Sequence, residues 1–171
     1  MSAQSIEIRR LLPADAALYR DIRLEALRVS PEAFGSAYET ESAYPVEWFS
    51  DRLARGAVIL GAFRGDEIAG IVGFVAAQGP KQRHKGELVS MYVRPAARRA
   101  GVGRRLIDAA LELAAETVEL VLIAVVKGNE QAHRLYRSAG FVEYGLEQRA
   151  LKLDGRYYDE ILMAKDLAGR G

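Results

Sequence analysis

The sequence predicts one α/β domain over residues 1–171, with a mixed sheet of six or seven strands flanked by about four helices. β-rich apolar runs alternate with segments whose apolar residues recur every three or four positions. Short turn sequences separate these segments, and no repeat or linker divides the chain. The length, with half of the residues hydrophobic, suits a single core. The expected order is β-α-α-β-β-β-α-β-α-β-β.

One strand and two helices are expected first. IEIRR alternates as a short strand, and Pro13 then opens a helical stretch in which Leu18 and Ile22 lie four residues apart. Residues 30–49 mix proline, glycine, serine and aromatic side chains without clean periodicity. They predict a loop that ends in a short helix to about Arg55.

The middle of the chain predicts three strands and a helix. AVILGAF and IAGIVGFVAA flank the turn RGDE, whose Gly65 and Asp66 favour a β-hairpin. A polar, basic loop and the strand ELVSMYV follow. Val102, Leu106 and Ala110 then begin a helical pattern.

The C-terminal part predicts a strand, a helix and a hairpin. VELVLIAVV hardly alternates, which indicates a strand buried on both faces. A helix starts at Asn129, carries Tyr136 on its apolar side and ends at Gly140. Residues 141–152 and 156–164 form a hairpin about LDGR. Parallel pairing is expected only for the crossovers around the two later helices.

Composition excludes several classes of function. A net charge of +1 argues against a strongly basic nucleic-acid binder. The absence of cysteine removes disulfides, thiolate metal sites and thiol nucleophiles, and fits a reducing compartment. The N-terminus lacks a signal-peptide core, and the longest apolar runs are too short to cross a bilayer. We therefore expect a cytoplasmic protein without nucleic-acid or membrane partners. Neither His84 nor His133 has a spacing that suggests a metal.

The segment RRAGVGRR places Gly101 and Gly103 among four arginines, between a strand and a helix. A Walker loop would need Gly-Lys-Ser/Thr, but Arg104 and Arg105 follow the second glycine. A dinucleotide fingerprint needs a third glycine where Leu106 stands. A third design seats a pyrophosphate on the unpaired amides of a helix N-terminus. The alternative is an ordinary helix N-terminus whose arginines lie on the surface and bind no ligand.

The pattern Arg98-x-x-Gly101-x-Gly103 after ELVSMYVRP resembles the acyl-CoA loop of the GCN5-related N-acetyltransferase (GNAT) superfamily. KGNEQAHRLYRSAGFVEYG resembles the second signature of that superfamily. SPEAFGSAYETE and RALKLDGRYYDEILMAKDL resemble bacterial small-amine and amino-acid acetyltransferases. Together these segments cover most of the chain in family order. The resemblance implies a GNAT-like fold, acetyl-CoA as cosubstrate, no metal, and transfer to a small-molecule primary amine in a ternary complex.

The resemblance also implies which residues hold acetyl-CoA. Backbone groups near Met91, Tyr92 and Val93 would pair with the pantetheine arm and receive the thioester oxygen, along a strand that splays from its neighbour. The pyrophosphate would lie on a loop made of Arg98, Arg99, Ala100, Gly101, Val102, Gly103 and Arg104. Further contacts would come from the next helix, at Asn129, Ala132 and Tyr136. Asn129 also serves as an ordinary helix N-cap.

Acetyl transfer to an amine requires a base for the amine proton and a proton for the leaving thiolate. The resemblance places Tyr136 near the sulfur as the acid, although its apolar neighbours also suit a core tyrosine. Glu87 opens the strand where related enzymes carry a basic carboxylate, although a glutamate at a strand end is commonly a solvated surface residue.

By family analogy, residues 34–48 and the terminal hairpin wall the acceptor cleft. The predicted acceptor-binding residues are Phe34, Tyr38, Glu39 and Tyr158, and Glu41 joins Glu39 as a possible attractor of a cationic amine. An amino acid, a polyamine-like metabolite, an antibiotic amine and a protein N-terminus stay open as acceptors. A non-catalytic acyl-CoA-binding module and a nucleotide-binding protein are the alternative functions. A homodimer through the last strands is plausible.

Overall fold

Seven strands form one mixed sheet in the part of the chain that the computed structural model describes, residues 5–169. The strands are β1 (Ile6–Arg10), β2 (Val58–Arg64), β3 (Glu67–Ala76), β4 (Lys85–Val93), β5 (Leu120–Val126), β6 (Val142–Leu153) and β7 (Arg156–Asp166). The helices are α1 (Ala16–Val29), α2 (Tyr38–Glu41), α3 (Val46–Arg55), α4 (Val102–Ala115) and α5 (Glu130–Ser138). The predicted α/β class is confirmed. The four-residue helix α2 is an addition, because it lies inside the segment predicted as a loop.

The sheet order is β1-β2-β3-β4-β5-β7-β6. Strands β1 to β4 form an antiparallel meander, and β4 pairs with β5 in parallel across the α4 crossover. The expectation of a second parallel pair around α5 is wrong, because β7 lies between β5 and β6 and is antiparallel to both. The burial of the hairpin explains this arrangement. Met163 of β7 is fully buried, whereas most of β6 is exposed, so β7 takes the inner position.

Two apolar cores cover the two faces of the sheet. On one face, α4 and α5 pack over β2 to β5 through a cluster that includes Leu106, Ile107 and Tyr136. On the other face, α1 and α3 pack over β2 to β4 through a cluster that includes Tyr19 and Phe49. These helices therefore present the apolar stripes that their sequence periodicity predicts.

Strand β4 leaves its parallel neighbour soon after pairing begins. Only its first residues, Lys85 to Glu87, pair with β5, where they lie opposite Leu120 to Leu122. Further along, the register between β3 and β4 shifts by one residue, and Ser90 adopts a left-handed conformation with φ 57°. This β-bulge bends β4 away from β5. The splay expected for this strand is therefore present, and it opens a gap in the middle of the sheet.

None of the helices in residues 5–169 is both long enough and apolar enough to cross a membrane.

Candidate active site

A groove of about 1230 Å³ passes through the gap between β4 and β5. We call one part of it the loop end, formed by residues 98–104 and the first turn of α4. We call the other part the carboxylate end, formed by Phe34, Glu87, Tyr158 and Glu160. Residues of both ends line the same cavity.

In the described part of the chain, the loop end has backbone amides without intramolecular partners. The first backbone hydrogen bond of α4 runs from the Arg105 amide to the Gly101 carbonyl, at 3.1 Å. Within residues 5–169, the amides of Val102, Gly103 and Arg104 donate to no backbone carbonyl, and no side chain caps the helix. Such amides, with the positive end of the helix dipole, suit a phosphate group.

The two positions of the loop require glycine for different structural reasons. Gly101 has φ 76°, and the space that a Cβ would occupy is open, so its requirement is conformational. Gly103 packs closely, because an added Cβ would lie 3.2 Å from Leu135 Cδ2 and 3.4 Å from Met91 Cε. Gly103 therefore lets α4 approach α5 and β4.

Two of the predicted phosphate ligands brace the loop itself. Arg98 Nε donates to the Val93 carbonyl at 2.9 Å, which ties the loop to the end of β4. Arg104 donates to Asp108 Oδ1 at 2.9 Å and to the Ser138 carbonyl at 3.0 Å, which ties α4 to α5. Both arginines also line the groove.

The structure brings nearly all of the predicted cofactor-binding residues together. Those that line the groove are Met91, Tyr92, Val93, Arg98, Arg99, Gly101, Val102, Gly103, Arg104, Asn129, Ala132 and Tyr136. Ala100 is exposed in the same loop but does not line the cavity. The Tyr92 side chain turns away and donates to Glu25 at 3.0 Å, so Tyr92 presents its backbone to the groove. Asn129 caps α5 by accepting from the Ala132 amide at 3.3 Å.

Tyr136 lies on the α4–α5 face of the sheet, in the cluster that includes Ile123 and Val125. Its residue surface is 5% exposed, and it lines the groove. Within residues 5–169, the hydroxyl makes no hydrogen bond. Burial raises the pKa of Tyr136 above its usual range, so the hydroxyl stays protonated. It is a neutral donor facing the gap.

Glu87 projects from the opposite face of the sheet. It pairs with Val75 on β3 and with Leu122 on β5, which share its face. Although Glu87 reaches solvent, the groove walls shield the carboxylate, and this burial raises its pKa. A raised pKa makes a carboxylate a better proton acceptor once it is ionised.

A second carboxylate, Glu160, lines the same end of the groove. On β5, Leu122 and Val126 point to one face, and Glu160 pairs with Val126. Glu160 and Glu87 therefore share that face. Burial raises the pKa of Glu160, and the charges of Glu147 and Glu87 raise it further. This residue was missed from the sequence, because it lies within a hairpin strand whose pairing partners are not local.

The predicted acceptor residues separate into two groups. Phe34 and Tyr158 line the carboxylate end. Tyr38 instead packs against the α1–α3 core, and Glu39 is exposed outside the cavity lining. The acceptor-binding role predicted for these two residues therefore has no support in the structure. The chain turns into α2 at this point and carries both away from the groove.

Glu41 does not face the cleft as an attractor of amines. Its carboxylate is buried and forms two hydrogen bonds with Arg23, each 2.9 Å long. A sequence signal for Arg23 exists, because it shares the buried face of α1 with Tyr19 and Leu27, four residues away on either side. A charged residue on an apolar stripe needs a buried partner.

The two histidines lie outside the groove lining: His84 is exposed in the loop before β4, and His133 contacts Glu143 on β6. Residues 5–169 contain no group of three or more histidine, cysteine or acidic side chains that could hold a metal ion.

The Acetyltransferase (GNAT) family matches this chain over residues 20–141, which contain β4, the loop end and α5. The chain belongs to the GNAT acetyltransferase family. This GNAT protein is accordingly an acetyltransferase that uses acetyl-CoA. The family match runs from within α1 to Phe141, immediately before β6, so it includes both strands that flank the splayed gap.

Individual relatives differ in what their names say. YwnH of Bacillus subtilis (strain 168), provisionally named a phosphinothricin acetyltransferase, is 28% identical over 134 residues, which are 76% of this chain and 82% of YwnH. The ribosomal-protein-alanine N-acetyltransferase of Brucella melitensis is 27% identical with a TM-score of 0.78, over 94% of this chain and 99% of that one. The fold is also that of YncA of Salmonella typhimurium, solved with acetyl-CoA, at 21% identity and a TM-score of 0.79 over 99% and 96% of the two chains.

Proposed function

We propose that this GNAT acetyltransferase moves the acetyl group of acetyl-CoA to a primary amine of a small molecule, by direct transfer in a ternary complex. The observation that carries the proposal is the placement of Tyr136 and Glu87. The two side chains line one groove from opposite faces of the sheet, on either side of the gap between β4 and β5. A proton donor and a proton acceptor thus lie on either side of the gap in which the acyl group would be transferred.

The loop end fits the diphosphate of acetyl-CoA. Its unpaired amides on α4 and its arginines offer hydrogen bonds and positive charge to an anion. The gap beside Met91 and Val93 leaves the β5-facing edge of β4 without a strand partner. An extended pantetheine arm would occupy that edge as an added strand does. When bound, acetyl-CoA supplies the acetyl group as an activated thioester.

Glu87 is the proposed base. An alkyl ammonium with a pKa of about 10.4 is almost wholly protonated at neutral pH, so a proton acceptor is required. Ionised Glu87 would take that proton directly or through water, and the neutral amine nitrogen would then form the new C–N bond. Tyr136 would donate a proton toward the sulfur as the C–S bond breaks. The second proton of the amine nitrogen, which is lost as the amide forms, would return to the tyrosine oxygen through water. No cysteine is present to carry the acetyl group on the enzyme.

Glu160 gives the carboxylate end a second negative group beside Glu87. Together the two carboxylates favour the approach of a cationic amine, and burial raises the pKa of each of them. Phe34 and Tyr158 would enclose the non-reacting part of the acceptor.

Thiol release from acetyl-CoA with a panel of amines tests this proposal. The panel should contain amino acids, polyamines, aminoglycoside-type amines and phosphinothricin, beside peptides with a free N-terminal alanine. We expect a small amine to give the highest kcat/KM. A higher value with the peptides would replace the proposal with protein N-terminal acetylation, the activity named for the Brucella melitensis relative. Product mass would show whether nitrogen carries the acetyl group.

The homodimer and the cytoplasmic location stay predictions. The exposed edge strand β6 carries Val142, Tyr144 and Leu146, which would be covered if two copies paired there. Light scattering of the purified protein measures the oligomeric state, and Tyr144→Lys should shift a dimer toward monomer.

A further inference from the structure

A buried ion pair joins three elements near the middle of the groove. Arg23 of α1 donates from Nε and Nη2 to Glu41 of α2, at 2.9 Å each, and from Nη1 to Ser90 Oγ of β4 at 3.2 Å. The side chains of Arg23 and Glu41 are 4% and 5% exposed. We call these three residues the Arg23 cluster.

Fold stability alone is a weak reason for such a cluster. Removing two charges from water is costly, and apolar side chains of similar volume often serve a buried site as well or better. Burial opposes the ionisation of Glu41, but the hydrogen bonds and charge of Arg23 outweigh it and lower the pKa of Glu41. Glu41 and Arg23 are therefore both charged and firmly held together at neutral pH.

Ser90 is the point at which the cluster meets the bulge of β4. A left-handed conformation with φ 57° is unfavourable for a serine, which has a Cβ. The hydrogen bond from Arg23 supports the serine in that conformation. The bulge lies between Glu87 and the residues Met91 to Val93, so its geometry sets how the free edge of β4 faces the gap.

The same cluster also contacts Phe34, which forms one wall of the carboxylate end. The Arg23 guanidinium lies 5.5 Å from the centroid of the Phe34 ring, and both residues line the groove. Glu41 anchors the end of the segment that contains Phe34. One rigid contact therefore joins the carboxylate end to the part of β4 that faces the gap.

We propose that the Arg23–Glu41 pair is a positioning device, which fixes the Ser90 bulge and the Phe34 wall relative to each other and so aligns acceptor and thioester. Arg23 acts through Ser90 and Phe34 on the reacting groups. The inference rests on the proposed role of the β4 edge in holding the thioester.

The central test replaces the ion pair with apolar side chains in the double variant Arg23→Met/Glu41→Leu. Isothermal calorimetry with coenzyme A, and infrared spectra of bound acetyl-CoA labelled with ¹³C at the carbonyl, need no knowledge of the acceptor. Thiol release with the best amine of the panel completes the measurement. We expect the affinity for coenzyme A to be retained and the carbonyl band to move toward its position in water. Because small misplacements of reacting groups are costly, kcat should fall by about 10²-fold.

Single variants at Ser90 separate positioning from packing. Ser90→Gly accepts a positive φ without support, so it should keep the wild-type carbonyl band. When added to the double variant, it should move the band part of the way back to its wild-type position. Ser90→Val disfavours that conformation, so it should show the same shift of the carbonyl band and the same fall in kcat that we expect of the double variant. It therefore tests the inference even if the double variant fails to fold. Arg9→Met, which breaks the ion pair with Asp15 at the far end of the sheet, is the matched control and should change neither reading.

Several outcomes would overturn the inference. A double variant or Ser90→Val with the wild-type band and turnover would show that the cluster positions nothing. If wild-type protein binds acetyl-CoA without any carbonyl shift, the proposed role of the β4 edge fails, and the inference fails with it. A wild-type shift that Ser90→Val leaves unchanged would overturn the inference alone.

Discussion

The two ends of the groove are built in different ways. The loop end comes from one continuous segment, residues 98–104, together with the helix that follows it. The carboxylate end comes from separate elements, because Phe34 precedes α2, Glu87 lies on β4, and Tyr158 and Glu160 lie on β7. A local segment can carry its anion-binding geometry in its own backbone. An assembled pocket depends on the register of the sheet, so it can vary while the loop stays the same.

This comparison predicts that substitutions at the two ends affect different constants. The loop end should control the Kd for coenzyme A, and the carboxylate end should control turnover and its pH dependence.

The largest effect is expected at the base. Glu87→Gln should lower kcat/KM for the amine by about 10³-fold at neutral pH, since general base catalysis typically contributes 10²–10⁴-fold. Wild-type activity should rise as pH rises through the raised pKa of Glu87, because only the ionised form accepts a proton. The Glu87→Gln variant should lose this rise, which is the acidic limb of the pH profile. Glu67→Gln, on an exposed hairpin position, is the control, and a Glu87→Gln enzyme with the wild-type pH profile would assign the base elsewhere.

The acid should come next. Tyr136→Phe keeps the ring packing and removes only the hydroxyl, so we expect kcat to fall by about 10²-fold with little change in the Kd for coenzyme A. Steady-state kinetics and calorimetry provide the two readings. Tyr144→Phe, on the exposed edge strand, should leave both unchanged. A larger effect on binding than on turnover would make Tyr136 a cofactor contact instead.

A smaller effect is expected at the loop end. Gly101→Ala places a Cβ at φ 76°, which costs about 1–2 kcal/mol. We expect the free loop to relax out of this conformation, so binding would have to restore it and the Kd for coenzyme A should rise roughly tenfold. Gly155→Ala is a matched control, because Gly155 has φ 78° and open space around it in the β6–β7 turn. It should lower stability without changing the Kd. Equal effects of the two substitutions on binding would mean that the loop carries no special anion site.

The smallest effect should appear at the second carboxylate. The charge of Glu87 raises the pKa of Glu160, and such a repulsion acts in both directions, so Glu160→Gln should move the acidic limb of the kcat/KM profile slightly to lower pH. We expect less than about one pH unit, because both groups reach solvent. Glu147→Gln, one strand further away, should shift the limb less. A limb that moves to higher pH would contradict the arrangement.

Much of the fold follows from local patterns. The hairpin around Gly65 and the helix after Gly101 appear where turn residues and apolar spacing place them. The position of β7 between β5 and β6 does not, since it depends on which hairpin strand buries more surface against β5. The positions of Tyr38 and Glu39 outside the groove lining have a similar reason. Nothing in their neighbourhood indicates that α2 turns them away from the groove.

The sequence by itself determined the order of elements, the glycine–arginine loop and the tyrosine of α5, because these depend on contacts within a few residues along the chain. Only the tertiary structure decided that β4 leaves β5 after Glu87, that Glu160 shares its face, and that Arg23 reaches Glu41 and Ser90. Arg23 and Ser90 are 67 residues apart in the sequence. Contacts of that range arise from sheet register and helix packing, which no short segment encodes.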